Sequence, residues 1–248
     1  MKARSVTILS RKGDQPTLED HVLSNERRGI FAVADGFGGG SLGFDAAKTA
    51  CAAVGEFLEK EGGDLDATFP FVLRRYYSLA GNLVFNAVWY ANEKLVERND
   101  KKAGCEKSGA SIVTGFLIGD TLALAGVGGC SAWLVRGGEV ARIVQPRTYQ
   151  RVVDPLERFP EASCPPIPLM ALGMSADTEP EISEVKVREG DWVILHSGRL
   201  SEELRSKIQG LSTEGFGIDS PEDILRRLKE ALEEDVFLVN TSVLVASF

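Results

Sequence analysis

The sequence predicts an α+β fold, with antiparallel sheets and helices packed outside them. Three observations point to it. Stretches of strand composition fall in blocks, before residue 35 and from 110 to 144, instead of alternating one by one with helices. Two long helical stretches stand together between those blocks. Tight-turn signals, Gly119-Asp120 and Arg136-Gly137-Gly138, join strands of the second block.

Ser5 to Ser10 reads as the first strand, and polar residues from Arg11 to Asp20 interrupt it. His21-Val22-Leu23 resumes a short strand, Glu26 to Gly29 turns, and Ile30 to Ala34 is the next strand. Phe44 to Leu58 has helical composition, with Ala47, Cys51, Val54 and Leu58 on one face. Pro70 to about Glu97 reads as a second long helix, striped by Leu73, Tyr77, Leu79, Leu83, Val84, Val88 and Leu95. Ala110–Ile118, Thr121–Val127, Ser131–Val135 and Glu139–Val144 read as a β-meander. Gln145 to Glu181 is proline-rich and reads as an irregular excursion. Asp191 to His196 is a buried strand, Ser201–Gln209 and Pro221–Glu233 are helical, and Thr241 to Phe248 is the last strand.

Composition excludes several function classes. The 248 residues carry a net charge of -8, which argues against nucleic acid as the main partner, since phosphate binding needs a basic surface. No apolar run approaches the ~20 residues of a membrane span, and no targeting segment is read at the N-terminus. The four cysteines, Cys51, Cys105, Cys130 and Cys164, form no CxxC pair, and with only His21 and His196 a zinc site is not expected. A cytoplasmic chain with reduced thiols and no membrane contact is the expectation.

The informative stretch is Ile30-Phe31-Ala32-Val33-Ala34-Asp35-Gly36-Phe37-Gly38-Gly39-Gly40. An apolar strand runs into a carboxylate and then into glycines. One reading is a strand ending in an Asp-Gly turn. A second is a phosphate-cradling loop, but neither GxGxxG nor the Lys-Ser/Thr of a P-loop is present. A third is a metal site, because a carboxylate at the end of a buried strand needs neutralising and a hard divalent cation does that. These residues alone leave the three open.

Landmarks along the chain resemble, in order, the metal-dependent protein phosphatase family, the PPM or protein phosphatase 2C type. Leu18-Glu19-Asp20-His21 is similar to its N-terminal Glu-Asp motif, and Ala34-Asp35-Gly36-Phe37-Gly38-Gly39 to its Asp-Gly-x-Gly-Gly signature. Gly43 to Ala47, Gly109-Ala110-Ser111, Val127 to Trp133, Gly190 to Leu200 and Val239 to Val245 follow later family segments. The resemblance implies a single domain over residues 1–248, a four-layer α-β-β-α sandwich of two antiparallel sheets flanked by helices. It implies Mn²⁺- or Mg²⁺-dependent hydrolysis of phosphoserine and phosphothreonine in proteins, with two ions bridging the attacking hydroxide. Asp35 and Gly36 would hold metal, Gly36 through its carbonyl. Glu19 would hold metal-bound water, and Asp20 completes the acidic motif.

Four positions depart from the family pattern. Gly198 stands for the aspartate of Ser-Asp-Gly, Val239 for that of Asp-Asn, Gly129 for that of Gly-Asp-Ser, and Gln15 for the phosphate-binding arginine. Two of three carboxylates around one ion are thereby lost, and Gln15 lacks the charged bidentate contact of an arginine. The expectation is one weak Mn²⁺ or Mg²⁺ site at most. The leading reading is a pseudophosphatase that binds a phosphoprotein or regulates another protein. Beside it stand an active phosphatase with an unorthodox second site and a metal-free binding scaffold. Glu202, Glu203, Asp235 or His196 as replacement ligands, and Arg11, Lys12 or Arg199 as phosphate contacts, are weaker expectations than structural or solvated roles. Cys130 has no marked activation as a nucleophile. Both the bacterial stage II sporulation E-like branch and the ordinary bacterial signalling phosphatases stay open.

Overall fold

A computed structural model describes residues 1–63, 68–137, 139–155, 167–197, 206, 226, 230 and 240–248. Ten strands form two antiparallel five-stranded sheets. One sheet has the order β1 (Ser5–Arg11), β10 (Thr241–Ser247), β9 (Trp192–His196), β6 (Ser131–Arg136), β7 (Glu139–Val144). The other runs β2 (Asp20–Asn25), β3 (Ile30–Phe37), β4 (Gly109–Ile118), β5 (Thr121–Val127), β8 (Glu181–Lys186). We call them the C-terminal and the N-terminal sheet.

Side-chain alternation sorts the core. Odd-numbered Phe31, Val33 and Val113 meet Leu134, Val193, Leu195 and Leu244 between the sheets. Even-numbered Ile30, Ala32, Ala34 and Ile112 face the opposite way, onto helices α1 (Ser41–Glu61) and α2 (Leu79–Asp100). Alanines dominate that contact, Ala46, Ala47 and Ala50 of α1 and Ala80, Ala87 and Ala91 of α2 among them, so the helices lie close to the sheet. The expected α+β sandwich is present. The helices expected at 201–209 and 221–233 lie outside the described residues.

Several expectations need correction. The supposed meander is split between sheets: β4 and β5 pair in the N-terminal sheet, β6 and β7 in the C-terminal one. Between them Gly128, at φ 84°, carries the chain across. The second long helix begins at Leu79, not Pro70. Ser78 caps it by accepting from the Gly81 N–H, and the buried Asn82 amide donates to the carbonyls of Arg74, Tyr77 and Ser78. Those bonds hold 74–78 in an irregular approach, with Phe69 and Phe71 packed against the helical layer. The proline-rich excursion contains a short helix, α3 (Tyr149–Val153), and β8 follows directly on its end. β8 shows little apolar alternation, because as an edge strand it is mostly half-exposed.

An ion pair secures one end of the C-terminal sheet. Asp191, 2% exposed, receives Arg136 Nε at 2.9 Å, Arg136 Nη2 at 2.6 Å and the Arg188 backbone N–H at 2.7 Å. Burial pushes the Asp191 carboxyl up, but these bonds and the charges of both arginines outweigh it and hold the group below its ordinary range. A depressed folded-state pKa gives stability that is present above about pH 4 and lost as pH falls through the folded value. Arg136→Ala is therefore expected to cost ~2 kcal/mol at pH 7, less than a fully buried pair because Arg136 is partly solvated. Urea denaturation of both proteins is expected to show that gap shrinking below about pH 4, where protonation discharges Asp191.

Candidate functional site

At the opposite end of the sandwich three carboxylates gather on the N-terminal sheet. β3 does not stop at Asp35. It continues to Phe37, with Asp35 paired to Ser111, Gly36 to Ala110 and Phe37 to Gly109 on β4. The Asp-Gly turn is therefore corrected: Asp35 and Gly36 are ladder residues, and the reversal falls on Gly38, Gly39 and Gly40, all at positive φ. On the other side Asp20 of β2 pairs with Asp35. Asp20, Asp35 and Ser111 thus form a row across three strands, on the face that looks toward the other sheet.

The glycines let a helix approach this row. A Cβ on Gly36 would collide with the Gly43 carbonyl oxygen in the first turns of α1. A Cβ on Gly43 would come within 2.6 Å of Glu19 Oε1. Glu19 also accepts a hydrogen bond from the Gly40 backbone N–H at the start of α1, where the helix dipole favours a negative group. The Gly36 N–H donates to the Glu19 carbonyl oxygen at 3.2 Å. Close strand–helix contact thus explains Gly36 and Gly43, and the turn explains Gly38.

Crowding of carboxylates dominates the electrostatics. Burial, the Asp20 charge, a hydrogen bond shared with Asp20 and the Glu19 charge push the Asp35 carboxyl up to about 8. Burial raises Asp20 too, offset in part by the hydrogen bond from Ser197. Burial followed by the Asp20 charge raises Glu19, and the Gly40 N–H opposes this. At neutral pH the pair across β2 and β3 therefore shares a proton.

The C-terminal sheet meets this row with neutral groups. Ser197, which follows β9, donates to Asp20 Oδ2 at 2.6 Å. Its Oγ accepts from the Ser242 N–H at 2.8 Å, and Ser242 Oγ donates to Ser10 Oγ at 2.9 Å. With its amide oriented to suit its neighbours, Asn240 donates to the carbonyls of Lys12 and Thr17 and accepts from the Glu19 N–H at 3.2 Å. It ties the loop carrying Glu19 to β10. Sequence reasoning missed these roles, since a serine beside glycine and an asparagine before a strand have ordinary structural uses. The signal was the opposition of short polar residues to buried acids.

The donor set fits a hard cation in part. Glu19 Oε1 and Asp20 Oδ1 are buried without a hydrogen-bond partner, and oxygen donors suit Mn²⁺ or Mg²⁺. Yet among the described residues no group of three or more His, Cys, Asp or Glu side chains is arranged to hold a metal ion. Gly129 donates its N–H to Ser111 Oγ at 3.0 Å, and a Cβ there would meet only that oxygen, at 3.8 Å. Nothing in the packing demands glycine at this position. Gln15, Arg11 and Lys12 are exposed. Gly198, Val239, Arg199, Glu202, Glu203 and Asp235 lie outside the described residues.

His196 is corrected as a replacement ligand. It lies on the outer face of its sheet, opposite to Leu195 and Ser197 in the alternation. The Trp133 indole N–H donates to its Nε2 at 2.9 Å. An indole can only donate, so Nε2 spends its lone pair there and Nδ1 faces the Ser197 carbonyl at 3.3 Å. Cys130 is buried between the sheets.

Removing the Asp35 charge is expected to stabilise the cation-free protein. Between about pH 4 and pH 8 the folded state holds a proton on Asp35 that the unfolded state has lost, so stability falls as pH rises through that window. Asp35→Asn escapes this penalty. In chelator it is expected to be more stable than wild type by about 1–3 kcal/mol, with a larger gain at pH 8 than at pH 5. Urea denaturation at the two pH values checks this.

No family model matches the chain. The serine/threonine protein phosphatase PstP of Mycobacterium tuberculosis is 29% identical over 189 residues, 74% of this chain and 34% of PstP. The aligned part thus spans about a third of the length of that curated relative. The crystal structure of the M. tuberculosis phosphatase PstP/Ppp superposes with a TM-score of 0.75 at 24% identity, covering 98% of each chain. The PPM Ser-Thr phosphatase MsPP of Mycobacterium smegmatis, solved with cacodylate, gives 0.74 at 19% identity over the whole of both chains. The catalytic domain of PstP with two manganese ions gives 0.68 at 21% identity. By its two-sheet sandwich the chain has the fold of the PPM, or protein phosphatase 2C-type, phosphatases, and its sequence resembles that of PstP over 189 residues.

Proposed function

We propose that residues 1–248 are a single PPM-type domain in which phosphatase catalysis is lost or very weak, serving as a binding or regulatory module. The observation that carries this reading is the asymmetry of the site. Among the described residues, the N-terminal sheet supplies Glu19, Asp20 and Asp35, while the C-terminal sheet meets them with Ser197, Ser242 and Asn240. The absence of aspartate at Gly129, Gly198 and Val239 and of arginine at Gln15 supports the same reading. At most one Mn²⁺ or Mg²⁺ would be held, by Asp35 and the Gly36 carbonyl with Glu19 and Asp20 beside them. A bound ion would supply Lewis-acid polarisation of a phosphoryl oxygen. Glu19 and Asp20 would orient water, and Asp35 must give up its shared proton on cation binding.

The partner in this reading is a phosphoprotein or a regulatory protein. The fold neighbour PppA, described as a key regulatory component of T6SS in Pseudomonas aeruginosa, shows the same fold in a regulatory setting (TM-score 0.69, 18% identity). Among the described residues no helix is long and apolar enough to cross a membrane. A second reading, an active Ser/Thr phosphatase with an atypical metal site, is favoured by the two unpartnered carboxylate oxygens. Hydrolysis of p-nitrophenyl phosphate over a Mn²⁺ series separates the two. The expected result is no turnover above an Asp35→Asn control at any Mn²⁺ concentration. Mn²⁺-dependent turnover that disappears in the control would establish the second reading instead.

A further inference from the structure

We propose that Ser197 is a positioning residue for Asp20, fixing the orientation of this carboxylate across the gap between the two sheets. The hydroxyl is itself pinned. Ser197 is fully buried, its N–H donates to the Ser242 carbonyl at 2.9 Å, and its Oγ accepts from the Ser242 N–H at 2.8 Å. With one lone pair engaged by that N–H, the hydroxyl hydrogen has a short acceptor in Asp20 Oδ2 at 2.6 Å. The alternative, the Ser242 carbonyl, lies at 3.5 Å. The short contact has the geometry of a charge-assisted bond. It leaves Asp20 Oδ1, buried and without a hydrogen-bond partner, as the oxygen open to a cation.

Asp20 and Ser197 come from opposite sheets, 177 residues apart in sequence. The bond therefore makes the shape of the acid row depend on how the sandwich closes. Asp20 also pairs with Asp35 in the β2–β3 ladder, so fixing one carboxylate constrains the other. Groups that orient a ligand without touching the metal typically change metal affinity by 10- to 100-fold when removed. The inference deepens the preceding reading, which supplies the cation, but the hydrogen bond itself acts with no cation present.

A double-mutant cycle on the full chain tests it in two arms. In chelator, urea unfolding is measured for wild type, Ser197→Ala, Asp20→Asn and the double variant. Ser197→Ala is expected to lower the unfolding equilibrium constant's resistance to urea through Asp20, with a coupling of about tenfold between the two changes. Equal effects of Ser197→Ala in both backgrounds would overturn the proposal. In the second arm Mn²⁺ is titrated and followed by electron paramagnetic resonance. Ser197→Ala is expected to bind Mn²⁺ about 10- to 100-fold more weakly, with Ser197→Thr restoring affinity to near wild type. Wild-type affinity in Ser197→Ala would also overturn it. Should wild type bind no Mn²⁺, the cation reading fails and the chelator arm alone decides on Ser197. If Ser197→Ala does not fold, Ser197→Cys, nearly isosteric and a weaker donor, replaces it in both arms.

Discussion

Two carboxylates set opposite each other in a buried antiparallel ladder are the constraint on which this end of the molecule depends. Asp20 and Asp35 pair directly between β2 and β3, and Glu19 adds a third charge beside them. Like charges facing each other across a ladder repel, and burial strengthens the repulsion. The chain answers with what surrounds the pair: a shared proton, a serine hydroxyl from the other sheet and a backbone N–H at the start of α1. Each is a neutral device. Together they give the acid row a stable arrangement with no cation, at a cost to stability that a cation could recover.

Much of this was legible in the sequence. The block order of strands and helices followed from hydrophobic periodicity, because both sheets bury their inner faces and α1 presents Ala47, Cys51, Val54 and Leu58 to one side. Asp35 was marked by its place at the end of an apolar run. What failed was local. Asp-Gly carries the same turn signal whether or not a neighbouring strand claims it, and here β2 and β4 both do. Tyr77 and Leu73 fitted a helical stripe, yet the Ser78 cap and the Asn82 amide start the helix at Leu79. The apparent meander could not reveal its split, since crossing between sheets at Gly128 leaves the strand pattern unchanged.

The site was legible as chemistry but not as geometry. Glu19, Asp20, Asp35 and Gly36 do come together, and Gly36 earns its place by the approach of Gly43. Ser197, Ser242 and Asn240 escaped notice because their importance lies in what faces them from the other sheet, a long-range fact. His196 drew attention by lying close in sequence to Gly198, whereas strand alternation turns its ring to the outer face and toward Trp133. A PPM-type fold thus surrounds a site whose carboxylates come from one sheet among the described residues. Shared fold leaves activity to be decided by the side chains at the site.

The most direct measurement is Mn²⁺ binding to the purified chain by isothermal titration calorimetry at pH 7. A site with acids on one sheet and hydroxyls on the other predicts at most one ion per chain, weakly bound and taken up with release of a proton. Two tightly bound ions per chain would contradict it, and the search would turn to the groups that replace the aspartates absent at 129, 198 and 239.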